Sequence, residues 1–324
     1  MRQHGGQTPF IRNSLVIQDG ERLTTVHGGT ADTPLSVLEP PTDDGPAVYW
    51  AGDAVVAGEF VEIAYRRYRP TGLRGDKRSD GLVIARFDAA EPAQPIDVTV
   101  RESSWGVSWG SAICRTDGYT YVYGGHDHGR GQRNLRIARV AGDSLLGDWE
   151  YYTGDNGWSA DERAAVDLMP GVANEFSVVH FADRYLLVTN DGTEIYSADI
   201  VAYAAPTPLG PFVDKTVLYT TPETGLYGTY SDPNANTYNA LAHPHLDRGR
   251  GGLVVSYNVN WAVPADWPPE RRPELVLDDV SLYRPRFLTV RFDTGQSTDT
   301  SPDQTQDTET TNSSTPTGSD PGTR

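Results

Sequence analysis

The stretch Tyr238-Asn239-Ala240-Leu241-Ala242-His243-Pro244-His245, with the apolar run Leu253 to Tyr257 beyond it, decides the reading of this chain. Two histidines two residues apart on an extended segment project to the same side. The β-branched run that follows a Gly-rich turn reads as the returning strand of a hairpin. A polar residue at a strand entrance followed by a hairpin is a unit, and the unit recurs.

The first copy is Ser14 to Ile17, the turn Asp19-Gly20 and Leu23 to Val26. The second is Asp53 to Val56, the turn Ala57-Gly58 and Phe60 to Tyr65, continued at Leu82 to Phe87. The third runs from Ser111 to Cys114 through Asp117-Gly118 to Tyr119–Tyr123, then Leu135 to Val140 and Trp149 to Tyr152. The fourth is Glu175 to His180, the turn Ala182-Asp183, Tyr185 to Thr189, Ile200 to Tyr203 and Gly210-Pro211-Phe212. The fifth is the opening stretch, with its turn near Gly251-Gly252 and an outer strand at Phe287 to Phe292. From Gly20 through Gly58, Gly118 and Asp183 to Gly252 the spacings are 38, 60, 65 and 69 residues. Small sheets repeated radially around an axis have such a period, because one blade alone leaves an apolar face uncovered. The expectation is an all-β, five-bladed β-propeller over residues 1–293 whose first blade is incomplete.

Composition agrees. Gly (33) and Pro (23) are abundant and aromatics make up 10%, which favours short strands and turns. The one helical candidate is Ser159 to Leu168, with Asp161 and Glu162 in its first turn. A formal charge of -17 repels phosphate backbones and anionic lipid, so no nucleic-acid partner is expected. No apolar run approaches the ~20 residues that span a bilayer, and no membrane insertion is expected. A lone cysteine, Cys114, excludes an intrachain disulfide and a cysteine-based metal cluster. Met1 to Phe10 has no apolar core of a signal peptide. The first unit is too short for a whole blade: either the final strand Phe287 to Phe292 closes the ring against it or, the preferred expectation, the reading frame starts downstream of the true N-terminus. Residues 294–324 contain no hydrophobic residue and are expected to be a disordered Thr/Ser/Asp-rich tail.

With the repeat laid out, the chain resembles five-bladed β-propellers of the arabinanase and fructosidase kind, and more closely an uncharacterised group of actinobacterial secreted proteins with that fold. The likeness is carried by Phe10 to Val16, Tyr49-Trp50-Ala51-Gly52-Asp53, Gly210-Pro211-Phe212, Tyr238-Asn239-Ala240, His243-Pro244 and Tyr283-Arg284-Pro285-Arg286-Phe287. The resemblance implies an axial funnel with carboxylates on the innermost strands, a carbohydrate ligand and an extracellular, monomeric protein. It also implies a histidine that holds Ca2+ or Na+ through water, for which His243 is the candidate. The short first blade puts a complete set of carboxylates in doubt.

Asp53 and Glu175 each begin an inner-strand candidate, which places both at one end of the ring. Glycoside hydrolysis needs two such carboxyls, and Glu175 is the candidate general acid and Asp53 the candidate base or nucleophile. The competing assignment makes Asp53 a turn residue and Glu175 a hydrogen-bonding partner between blades. Asn13, Trp109, Tyr238, Asn239, His243 and Arg286 are the candidate sugar contacts. Trp109, with Trp105 and Trp158, offers an aromatic face for a sugar or fills the space between blades. His126-Asp127-His128 lies in a Gly-rich loop with no second ligand cluster beside it in sequence, which favours a solvated blade tip. The function expected is that of a carbohydrate-active, glycoside hydrolase-like protein, against the alternative of a non-catalytic glycan-binding or cell-surface-binding propeller.

Overall fold

The computed structural model describes residues 11–71, 77–103, 105–129, 132–155, 157–194, 196–246, 251–262, 279 and 281–292. At the head of this part lie two small antiparallel pairs, β1 (Leu15–Asp19) with β2 (Arg22–Val26) and β3 (Gly28–Gly29) with β4 (Pro34–Leu35). Four antiparallel sheets follow. The first blade is β5 (Val48–Ala57), β6 (Phe60–Pro70), β7 (Lys77–Asp88) and β8 (Asp97–Glu102), hydrogen-bonded in that order. The second is β9 (Val107–Thr116), β10 (Tyr119–Asp127), β11 (Arg133–Ala141), β12 (Trp149–Tyr152) and the short β13 (Trp158–Ser159). The third is β14 (Phe176–Phe181), β15 (Arg184–Asn190), β16 (Asp199–Ala205) and β17 (Val213–Thr220). The fourth is β18 (Ala235–His243), β19 (Leu253–Trp261) and β20 (Pro285–Val290).

The hairpin turns follow from their residues. Thr116 pairs with Tyr119 across Asp117-Gly118, both at positive φ (53° and 77°), which an Asp-Gly pair adopts at small cost. Its twist matches that of the strands it joins. Phe181 pairs with Arg184 across Ala182-Asp183, and Ala57 with Phe60 across Gly58-Glu59.

Each blade's first strand packs beside the next blade's: β5 against β9, β9 against β14, and β14 against β18. This is a β-propeller arrangement. Period-2 alternation sorts the core between blades. On β9, Ile113 joins Leu82, Ile84 and Val122 in the cluster between the first two blades. Its neighbours Ala112 and Cys114 point the other way, to Phe176, Val178 and Leu187 of the third. Close approach of β5 and β9 demands glycine: a Cβ on Gly52 would lie 2.1 Å from the Gly110 carbonyl oxygen.

Among the described residues four blades stand where the sequence suggests five. The expected first unit does form a hairpin, β1–β2, but it stays a two-stranded sheet with most residues exposed. Its flanks do the packing instead. Leu15, Val37 and Leu38 cover the Tyr65, Val83 and Phe87 face of the first blade. Asn13 fixes this cover through three backbone hydrogen bonds.

The helix expected over Ser159 to Leu168 is a single 3-10 turn, Glu162–Ala164, capped by Asp161. It stops because Val166 and Leu168 donate to the Tyr152 and Leu135 carbonyls, which keeps the chain extended along the blade. His245 leaves the strand as well: β18 ends at His243, and Pro244–Leu246 form a 3-10 turn. Among the described residues no helix is long and apolar enough to cross a membrane. The tail expected at 294–324 lies outside the described residues.

Candidate functional site

At the end of the ring where the inner strands begin, one polar cluster draws on several blades. Arg66, near the end of β6, is buried and donates through Nη1 to the Asn174 carbonyl (2.7 Å) and through Nη2 to Glu175 Oε1 (3.1 Å). Asn174 Nδ2 donates to the same Glu175 oxygen at 2.6 Å. Tyr68 donates to Asn174 Oδ1 at 3.0 Å and lies 3.0 Å from Ser108 Oγ at the start of β9. Ser111 Oγ reaches the Asn174 carbonyl at 3.2 Å. Burial opposes the charge of Arg66, and Tyr68 and Glu175 outweigh it. A guanidinium in a strand interior needs such a carboxylate, since an unpaired buried charge costs several kcal/mol, on the order of 3–5.

The fourth blade enters through Tyr238. Burial raises its hydroxyl pKa above the ordinary phenol range, and nearby Tyr283 and the Glu175 charge raise it further. Glu175 is thus anchored by one oxygen, while no described hydrogen bond reaches Oε2. Its side chain is 21% exposed, so the second oxygen can meet a ligand. A carboxylate fixed on one side and open on the other can accept or give a proton without losing its position.

Asp53 takes a different place. It sits mid-strand in β5 at a register shift, where Oδ1 accepts from Ala54 N (2.8 Å) and Oδ2 from Ile113 N (2.7 Å). The second bond ties the first blade to the second. Burial pushes the Asp53 carboxyl up to about 6, against the pull of the two backbone bonds. No described hydrogen bond joins it to the Glu175 cluster.

Tyr238 stands beside Glu175, whereas Asn239 takes up the left-handed bulge (φ 60°) between Tyr238 and Leu241. Trp109 is only 3% exposed, donates to Glu162 Oε1 at 2.8 Å, and packs on Trp149 and Tyr151. It has no free face to stack on a sugar. Asn13 spends its amide on the Leu38 and Tyr49 backbone. Arg286 Nη2 donates to Tyr230 and to the Ser281 carbonyl within the fourth blade. Of the residues singled out in the sequence, the structure therefore brings together Glu175 and Tyr238.

His243 lies at the far end of β18 from Tyr238, 2.7 Å from Ser256 Oγ, with the His245 ring 6.0 Å and the Phe287 ring 6.2 Å away. Burial lowers its pKa, and His245 lowers it further. Calcium takes six to eight oxygen ligands. Imidazole, a hydroxyl and an aromatic ring do not supply them, and Asp232 is turned to Asn234 at the start of the strand. These residues do not fit a Ca2+ or Na+ site.

Sequence reasoning does not single out Arg66, Tyr68, Ser108, Ser111 and Asn174. A signal for the first was present: Arg66-Arg67 interrupts the apolar strand Phe60 to Tyr68, and a buried arginine implies a facing carboxylate.

The blades and their shared polar end define a β-propeller with a polar cluster where its inner strands begin. The chain belongs to the DUF5005 family, a domain of unknown function, whose profile matches residues 1–294. No curated protein matches it. Among solved structures it is similar to a Bacteroides ovatus protein provisionally described as a hydrolase, with a TM-score of 0.65 at 20% identity over 86% of this chain and 75% of that one. A GH43 beta-1,3-galactosidase solved with galactodeoxynojirimycin gives a TM-score of 0.51 at 14% identity, covering 89% of this chain and 85% of its own. The Cellvibrio cellulosa alpha-L-arabinanase gives 0.44 at 13% identity, covering 76% and 75%. Likeness at this identity describes the fold.

Proposed function

We propose that this protein is carbohydrate-active and that its saccharide ligand meets Glu175 at the axial end of the propeller. The observation that carries the reading is the anchoring of one Glu175 oxygen by Arg66 and Asn174 while the other is left open, in a cluster to which several blades contribute. One neighbour in fold is a GH43 beta-1,3-galactosidase, which adds support. In a hydrolytic reaction Asp53, with its raised pKa, suits the general acid and the Arg66-paired Glu175 the base or nucleophile, the reverse of the roles expected from the sequence. We further propose an extracellular, monomeric protein, since polymeric saccharides are met outside the cell.

A second reading, glycan binding without turnover, is favoured by Asp53 itself. Both of its oxygens are held by backbone N–H groups, so the second carboxyl would have to leave two hydrogen bonds to react. Product release from a panel of plant and microbial polysaccharides and aryl-glycosides, by the parent and by Glu175→Gln, separates the two. Release that falls by orders of magnitude in the variant supports hydrolysis. Saccharide affinity without release supports the binding protein. Neither release nor affinity in folded protein rejects the carbohydrate reading.

A further inference from the structure

The loop His126-Asp127-His128 has a third partner that sequence distance concealed. Asp167, from the segment leading toward Glu175, places Oδ1 2.9 Å from His126 Nδ1 and Oδ2 2.9 Å from His128 Nε2. The two rings lie 4.3 Å apart, and one ligand atom from each residue falls within 4.8 Å of the others. Two imidazole nitrogens thus converge on the two oxygens of one carboxylate. That spacing lets one ion reach all three side chains.

The scaffold beneath is held by backbone pairing on both sides. His126 belongs to β10 and pairs with Asn134 of β11. The Asp167 segment is fixed to β11 by Leu168 N to Leu135 O (2.9 Å), Leu135 N to Met169 O (2.8 Å) and Gly171 N to Arg133 O (3.0 Å). Arg136 Nε donates to Asp167 Oδ1 at 2.6 Å and orients the carboxylate from behind, as partners of metal ligands do. Among the described residues Oδ2 has, besides His128, only a long contact from Asn134 Nδ2 at 3.4 Å. A cavity of about 260 Å³ lies beside His128, which lines it with Gln132, Asn134 and Thr193.

We propose that His126, His128 and Asp167 form a binding site for one divalent transition metal of the zinc type. The ligand set argues for the class: two imidazoles and one carboxylate suit zinc and its neighbours, whereas calcium and magnesium select oxygen cages. Three protein ligands leave a fourth position for water or a small donor. No described hydrogen bond joins these three residues to the Glu175 cluster, and the inference does not depend on the saccharide reading.

The test is titration of untagged, chelator-stripped full-length protein with Zn2+, followed by calorimetry, with Co2+ absorption as a second readout. The expected result is one Zn2+ per chain at micromolar affinity or tighter, a rise in Tm with added zinc, and the visible bands of tetrahedral cobalt. His126→Ala and His128→Ala should each weaken binding by on the order of 100-fold. His243→Ala should leave it unchanged, which separates this site from adventitious binding at the other histidine pair. His128 is exposed, so its loss does not disturb the core, and near-UV circular dichroism checks both variants. Absence of saturable binding, or binding that survives both loop substitutions, overturns the proposal.

Discussion

Replacing Arg66 by alanine should destabilise the protein well beyond an ordinary surface substitution. The change removes the 2.7 Å bond to the Asn174 carbonyl and the 3.1 Å bond to Glu175, and opens a gap where a buried side chain stood. Truncating one partner of a buried ion pair costs roughly 3–5 kcal/mol. Glu175 is 21% exposed and regains some hydration, so the lower end, about 3 kcal/mol, is expected. For a domain of this size that is a fall in Tm of about 6 °C. Arg184→Ala is the control, because that side chain is 62% exposed and lies 3.9 Å from Asp183; it should change stability by under about 0.5 kcal/mol. Urea unfolding of parent and both variants at pH 7 reads the difference. A cost below about 1 kcal/mol for Arg66→Ala would refute the claim that this pair organises the axial end.

Asp53 has its pKa raised from 3.8 to about 6 in the folded state, so the native protein holds that proton more tightly than the unfolded chain. Its contribution to stability is therefore full below pH 3.8 and lost as pH rises through about 6; urea midpoints should carry this falling component across the window, and Asp53→Asn should remove it. Gly110→Ala puts a Cβ 2.6 Å from that of Ala64 at φ 84° and should cost roughly 3 kcal/mol or prevent folding, read by circular dichroism and melting. Trp109→Phe loses the bond to Glu162 and part of the packing on Trp149; a loss of about 1–3 kcal/mol with unchanged saccharide affinity is expected, and a selective loss of affinity would restore Trp109 as a sugar contact.

The blades were legible because their hairpins are written locally. Asp117-Gly118 and Ala182-Asp183 sit between runs of strand-forming residues, and each became a two-residue turn. Blade number was not legible, because the hairpin of Leu15 and Val26 has the same local pattern as a blade but only its flanks meet a core. Local pattern specifies a hairpin, and tertiary burial decides whether it stacks. Glu175 and Tyr238 could be found as polar residues at strand entrances. Arg66 and Asn174 could not be tied to them, since their contact spans 108 residues of chain. The same holds for Asp167, which lies 41 residues from His126 and completes a cluster that the loop alone did not declare.

A saccharide bound at the axial end beside Glu175 should leave a footprint in hydrogen exchange, mapped with and without a bound oligosaccharide. Slowed exchange is expected at Ser108 to Ser111, Asn174 to Phe176 and Tyr238, lost in Glu175→Gln or Arg66→Ala protein that remains folded. Protection confined to the His243 end of β18, or to the outer strands, would contradict it.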